Sequence, residues 1–225
     1  MTALHLLRHA RVDSHAGDIP LAGDAGPAID AAAARILAVM SAGEDVVFLS
    51  AGTHRTRETA RALAERIGPH AARASDWGDH PALRNPDLWL GGWRVEMVST
   101  LGAYAAQLPP GAADERDVAT HPFFAGFVNA PDRIGFWLAQ PSPPGDRAVE
   151  VARRVLAFAR SVRMLPGGPA RLVCVTHSPV LRALITAGLG QPDPGEPGWV
   201  EGVEIELGQP SSWRFRGASG SIPAP

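Results

Sequence analysis

At 225 residues, with 45% hydrophobic and 20% charged side chains, the chain has the length and composition of one globular domain with a full core. A formal net charge of −2 excludes a generally basic surface for nucleic acid or polyphosphate. All 21 basic side chains are arginine, which excludes a Schiff-base or Walker-type lysine, and the single cysteine, Cys174, excludes an internal disulfide.

In chain order, Ala3 to Leu7 reads as a short apolar strand that ends on Arg8-His9, followed by a polar loop through Ala25. Ala28 to Met40 has helical spacing and stops at Gly43. Val46 to Leu49 is a buried strand, and Ser50-Ala51-Gly52-Thr53-His54-Arg55 turns into a helix that runs to about Ile67, with Thr53 as its N-cap. Residues 76–144 resist a periodic reading. They hold Trp77, Trp89, Trp93 and Trp137 with Phe123, Phe124, Phe127 and Phe136, and prolines interrupt them repeatedly; helices are expected at Val95 to Gln107 and Asp132 to Leu138. Asp146 to Met164 is a strongly amphipathic helix. Arg171 to Val175 is the next strand, with Cys174 as a buried structural thiol, ending at Thr176-His177-Ser178-Pro179. A helix follows over Leu181 to Ala187, then a Pro/Gly loop from Gln191 to Gly198 and strands at Val203 to Leu207 and Trp213 to Phe215. The organisation expected is one domain over 1–216 with an aromatic-rich insertion at about 76–144 and a flexible tail at 217–225. No run approaches the roughly 18 apolar residues that span a bilayer. The chain enters a strand without a charged and then apolar leader, so a soluble, cytoplasmic protein is expected.

Arg8-His9, Arg55 and His177 each lie just past an apolar strand and beside a helix. Strand–helix alternation predicts a mainly parallel sheet, and ligands gather outside the carboxyl ends of such strands. Two arginines there match phosphate geometry, and a neutral histidine nitrogen can attack phosphorus. Metal binding is a weaker reading, because the histidines are far apart and no carboxylate stands at ligand spacing. A serine hydrolase lacks its Gly-x-Ser-x-Gly elbow.

These residues resemble the first branch of the histidine phosphatase superfamily, the phosphoglycerate mutase-like proteins. Leu6-Leu7-Arg8-His9-Ala10 is similar to the opening Leu-x-Arg-His-Gly motif. Ser50 onward, with Arg55 and Glu58-Thr59-Ala60, is similar to the second motif, and Val175-Thr176-His177-Ser178-Pro179 resembles Val-x-His-Gly-Gly. Gly145-Asp146 before the helix carrying Arg154 is a fourth, looser match. The resemblance implies a three-layer α/β/α sandwich with a mainly parallel central sheet. It implies a metal-independent phosphatase without cofactor, acting on a small phosphomonoester, with His9 as the phosphorylated nucleophile. Arg8, Arg55 and His177 would hold the phosphate oxygens, and His15 stands where the family often has an Asn that touches phosphate. No nucleic-acid or membrane partner is implied, and the oligomeric state, a homodimer included, stays open.

Three departures matter. Where the family places a general-acid Glu, the chain has Leu83-Arg84-Asn85, so Asp87 is the expected acid, with Glu96 second; a turn cap after Pro86 is the alternative role for Asp87. Ala10 replaces Gly, and Ser178-Pro179 replaces Gly-Gly, where Pro179 removes one backbone donor. Trp89, Trp93, Phe123, Phe124 and Phe127 either form the insertion's own core or line an apolar lid favouring a hydrophobic, ring-bearing leaving group. Mutase activity on phosphoglycerate is disfavoured, because the insertion is aromatic rather than arginine-rich. The rival functions are a degenerate member that binds a phosphorylated ligand without turnover, and a phosphoprotein phosphatase.

Overall fold

The computed structural model describes residues 2–15, 17–162, 164 and 167–222. Seven strands form one sheet in the order β3-β2-β6-β1-β7-β8-β9, with β1 Thr2–Arg8, β2 Asp45–Ser50, β3 Arg73–Asp79, β6 Arg171–Thr176, β7 Gly202–Leu207, β8 Ser212–Phe215 and β9 Ala218–Ser221. From β3 to β1 the pairing is parallel, and from β1 to β9 it is antiparallel. The central strands β1 and β6 are buried through most of their length, as two-sided cover by helices requires.

Alternation along the strands divides the core in two. Leu7, Val46, Phe48, Val173 and Val175 face α1 (Gly26–Leu37) and α2 (His54–Ile67). Leu4, Leu6, Val47, Leu49, Leu172 and Cys174 face α7 (Ala148–Val162), α8 (Ser178–Ala183) and the insertion. The result is the three-layer sandwich. Cys174 is fully buried, and burial pushes its thiol up, out of reactive range.

The structure corrects the reading of the insertion. Residues 76–79 belong to β3, an edge strand whose polar, exposed sequence Arg-Ala-Ser-Asp-Trp-Gly-Asp carries no hydrophobic alternation. The helix expected over 95–107 is shortened to α3 (Leu101–Ala105), which starts on the Thr100 cap, and Val95 instead ends a hairpin of β4 (Leu88–Leu90) and β5 (Trp93–Val95). Gly91 and Gly92, both at positive φ, make the turn of that hairpin. Two helices that the prolines conceal, α4 (Glu115–Thr120) and α5 (Pro122–Asn129), start on an Asp114 cap and on Pro122 at the first helical position. The expected helix at 132–138 is α6 (Arg133–Leu138), capped by Asp132, whose side chain accepts from the Gly135 N–H at 3.0 Å.

The expected tail is also corrected. Residues 218–221 form β9, because Arg216 and Gly217 at positive φ close a two-residue hairpin between Phe215 and Ala218. Residues 223–225 of that tail lie outside the described residues.

Candidate active site

Register places the motif residues at one edge. Arg8 pairs with Thr176 across β1 and β6, and Ser50 pairs with Val175 across β2 and β6, so three parallel strands end together. His9 follows β1, His177 caps α8 after β6, and Arg55 lies in the first turn of α2. All line a cavity of about 530 Å³, and His15 joins them from the loop after β1.

His9 is 2% exposed, and its Nδ1 lies 2.7 Å from the Ala10 carbonyl oxygen. A carbonyl only accepts, so Nδ1 carries the proton and Nε2 keeps its lone pair. Burial, with Arg55 and Arg8 nearby, pushes its pKa down to about 3, so the ring is neutral at physiological pH. His177 stands edge-on to His9 with ring centroids 5.4 Å apart. Both of its ring nitrogens are buried without a protein partner among the described residues, and burial first, then Arg55, holds its pKa well below the usual value. Arg55 is braced only loosely, at 3.4 Å from the Gly17 carbonyl and 3.5 Å from Asp18. His15 lies near-parallel to the Trp199 ring, 9° off at 6.1 Å, with its centroid 5.8 Å from that of His9.

Trp199 and Glu196, which the sequence reading leaves in or beside a Pro/Gly loop, are part of this end. The Arg8 guanidinium lies 3.7 Å above the Trp199 ring, donates to the Pro197 carbonyl at 2.5 Å and pairs with Glu196 at 2.8 Å. Glu196 also accepts from the Ser178 hydroxyl at 2.7 Å. A lone Glu between prolines gives no local signal of such a contact.

The second motif turns out to be mainly a brace. The Thr59 hydroxyl accepts from the Ala10 N–H at 2.9 Å and donates to the Arg55 carbonyl at 2.7 Å, and Glu58 accepts from the Leu21 N–H at 2.7 Å. The Ala10 N–H is thereby committed to Thr59. The Gly145-Asp146 motif is a brace too: a Cβ on Gly145 would fall 2.0 Å from the Asp87 carbonyl oxygen, and Arg154 ties Asp146 at 3.0 Å to the Arg84 carbonyl at 2.7 Å. With the Thr176 hydroxyl donating to the Leu83 carbonyl at 2.5 Å, this holds Asn85 against the cavity.

Asp87 is not brought to the cavity. Its carboxylate is clamped by Arg84 at 2.7 Å and Arg94 at 2.5 Å. Burial alone would raise its pKa, but the two guanidiniums outweigh it and hold it below the usual carboxylate range. Glu96 pairs with Arg94 at 2.7 Å and lines a neighbouring hollow that shares Asn85. Of the two readings of the aromatic residues, the insertion core prevails over the lid for most of them. Trp89 and Trp93 are about half exposed on the outer hairpin, Phe123 and Phe124 fill the insertion's core, and of the five only Phe127 reaches the cavity. Met97, Val98, Phe127, Pro131 and Ile134 form the cavity's apolar lining, together with Arg133.

No protein-family model and no curated protein matches this sequence. Solved structures do match. A mycobacterial glucosyl-3-phosphoglycerate phosphatase is 20% identical over 95% of this chain and 96% of its own, with a TM-score of 0.57. The same phosphatase with inorganic phosphate gives 0.58 over 95% of each chain at 20% identity. A phosphoglycerate mutase of Bacillus anthracis is 12% identical over 99% of this chain and 92% of its own, with a TM-score of 0.54. The fold is phosphoglycerate mutase-like. In that fold this chain sets Arg8, His9, Arg55 and His177 around one cavity.

Proposed function

We propose that this phosphoglycerate mutase-like chain is a single-domain histidine phosphatase that hydrolyses a small phosphomonoester through phosphorylated His9. The observation that carries the reading is the fixed tautomer of His9: a neutral ring, Nδ1–H tied to the Ala10 carbonyl, beside two guanidiniums and His177. Nε2 attacks phosphorus while the proton stays on Nδ1, donated to the Ala10 carbonyl oxygen, whose dipole stabilises the positive charge that the ring gains. Arg8, Arg55 and His177 stabilise the equatorial oxygens, and His15 bounds the same end. Catalysis of this kind is mainly positioning and electrostatics. Water then attacks the phosphohistidine and returns neutral His9. Two guanidiniums supply the positive charge, so the reading needs no metal.

The test is hydrolysis of p-nitrophenyl phosphate with EDTA present. Wild type turns over, and His9→Ala loses at least about 10⁴-fold in kcat, as expected for removal of a nucleophile. A second reading, binding without turnover, draws on Asp87, which the geometry puts outside the cavity lining. It prevails if wild type is as inactive as His9→Ala while orthophosphate still raises its melting temperature.

The cavity favours a small molecule over a phosphoprotein, because Met97, Val98, Phe127, Pro131 and Ile134 share its lining with the histidines and offer an apolar surface to a compact leaving group. Among the described residues, no helix is long and apolar enough to cross a membrane.

A further inference from the structure

The proton inventory of the cavity is short. Two carboxylates line it, Asp132 and Glu196. Asp132 caps α6 and is held on both oxygens by Arg182, at 2.7 and 2.6 Å, which keeps its pKa at about 2. Glu196 is paired to Arg8 and to the Ser178 hydroxyl, at the phosphate end. Asp87 is clamped by two arginines outside the lining, and Glu96 faces the next hollow. The side chain that does reach the cavity from the 81–87 turn is Asn85, 5% exposed, with its Oδ1 buried and unpaired among the described residues. An amide donates a hydrogen bond but has no proton to transfer. The histidines are neutral, and His9 spends its N–H on Ala10.

We propose that the substrate is an aryl phosphate, a phosphate ester of an acidic phenolic hydroxyl, whose leaving oxygen departs without a carboxylic acid to protonate it and whose ring is held against Met97, Val98, Phe127, Pro131 and Ile134. This rests on the phosphatase reading above. In the first step the His9 Nε2 lone pair forms the N–P bond, the P–O bond to the ring breaks, and its electron pair leaves on oxygen as phenolate. The ring becomes a phosphoimidazolium that keeps its Nδ1 proton. In the second step water adds to phosphorus, the N–P pair returns to Nε2, and dihydrogen phosphate leaves, losing a proton to solvent. Charge balances without an enzymic acid, provided that the leaving oxygen tolerates a negative charge. A phenol does, and an aliphatic alcohol does not. Asn85 and the apolar wall therefore point to the same class from opposite ends: the amide excludes poor leaving groups, and the wall selects a ring.

The experiment is a single-turnover series on the full chain with substituted phenyl phosphates of graded leaving-group acidity, and with 2-phenylethyl phosphate, which carries a ring on an alkyl oxygen. The expected rates rise steeply with leaving-group acidity. The phenylethyl ester binds as a competitive inhibitor yet reacts at least about 10²-fold more slowly than phenyl phosphate, the lower range of what a general acid supplies. Asn85→Glu is expected to raise the phenylethyl rate and flatten the series. If wild type cleaves the phenylethyl and phenyl esters alike, the proposal is overturned and the phosphatase reading survives. The same holds if Glu196→Gln or Glu96→Gln selectively removes phenylethyl activity, because one of them is then the acid. Inactivity on every ester, p-nitrophenyl phosphate included, overturns both.

Discussion

The two ends of the cavity are built by different means. The phosphate end is assembled from strand termini of one parallel sheet, so its residues arrive by backbone register: Arg8 opposite Thr176, Ser50 opposite Val175. The leaving-group end is assembled from the loop before α3, α5 and the cap of α6, joined by side-chain contacts between segments distant in sequence. Register is over-determined by the pleat and the core on both faces. The apolar lining is tied to the rest of the fold by the Arg182 fork. It holds Asp132 of the α6 cap and Asp193 of the Pro/Gly loop, Nε lying 2.8 Å from Asp193, and so ties the α6 cap to that loop. In the proposed reading one end sets the chemistry and the other sets what is attached to the phosphate.

That comparison can be broken first at the phosphate end. Arg55→Met is expected to lower kcat/KM for p-nitrophenyl phosphate by roughly 10²–10³-fold, the usual loss for one charge-stabilising donor. Its thermal unfolding should stay close to wild type, since among the described residues the Arg55 side chain makes long polar contacts, to Gly17 at 3.4 Å and Asp18 at 3.5 Å. A loss below tenfold would place the phosphate elsewhere.

At the other end Arg182 is the strut to remove. Its side chain is fully buried while its partners are partly exposed, Asp132 at 54% and Asp193 at 35%. Arg182→Met should cost roughly 2–4 kcal/mol in urea unfolding, near the lower edge of the range for broken buried pairs because both carboxylates can reach water. In the same variant KM for aryl phosphates should rise more than kcat falls.

The histidines give the comparison a pH signature. His5, His9 and His177 are buried with depressed pKa values, each mainly by desolvation; for His5 and His9 the value is about 3. In the unfolded chain each binds a proton near pH 6.5, so below that pH the unfolded state holds more protons. Stability is full above about pH 6.5 and falls on acidification toward pH 3, by about 1.4 kcal/mol per pH unit for each histidine. Denaturant titrations at pH 7, 6 and 5 read this directly. His5 lies on β1 against Arg171, at 2.6 Å, rather than in the cavity, so His5→Gln should remove one histidine's share of the slope without touching turnover.

The smallest effect sharpens the division of labour. Ile134→Ala trims the apolar wall and should raise KM for an aryl phosphate several-fold, about 1 kcal/mol, with the inhibition constant of orthophosphate unchanged.

The same division explains what was legible in the sequence. Arg8-His9, Arg55 and His177 could be read because each follows an apolar run that ends at a turn, a pattern local to a few residues. The mainly parallel sheet followed from strand–helix alternation, and the three-layer sandwich from the family resemblance. The displacement of Asp87 from the cavity could not be read. Asp87 looks available in sequence, but Arg94 from β5 reaches back to it across a hairpin that Gly91-Gly92 creates. Glu196 gave no sign of Arg8, 188 residues away in the chain, and β3 lacks the apolar alternation that marks a half-buried strand. Periodic signals survive where a face is buried, and they vanish where long-range ion pairs or edge exposure decide the structure.

The central claim is that Nε2 of His9 receives the phosphoryl group. Wild type should be mixed with p-nitrophenyl phosphate, quenched at alkaline pH within the first turnover, digested and read by mass spectrometry. The account predicts one added phosphoryl group on the peptide containing His9, labile to acid and absent in His9→Ala. A full turnover with no phosphorylated His9 peptide, or with the phosphoryl group on His177 or His15, would contradict it.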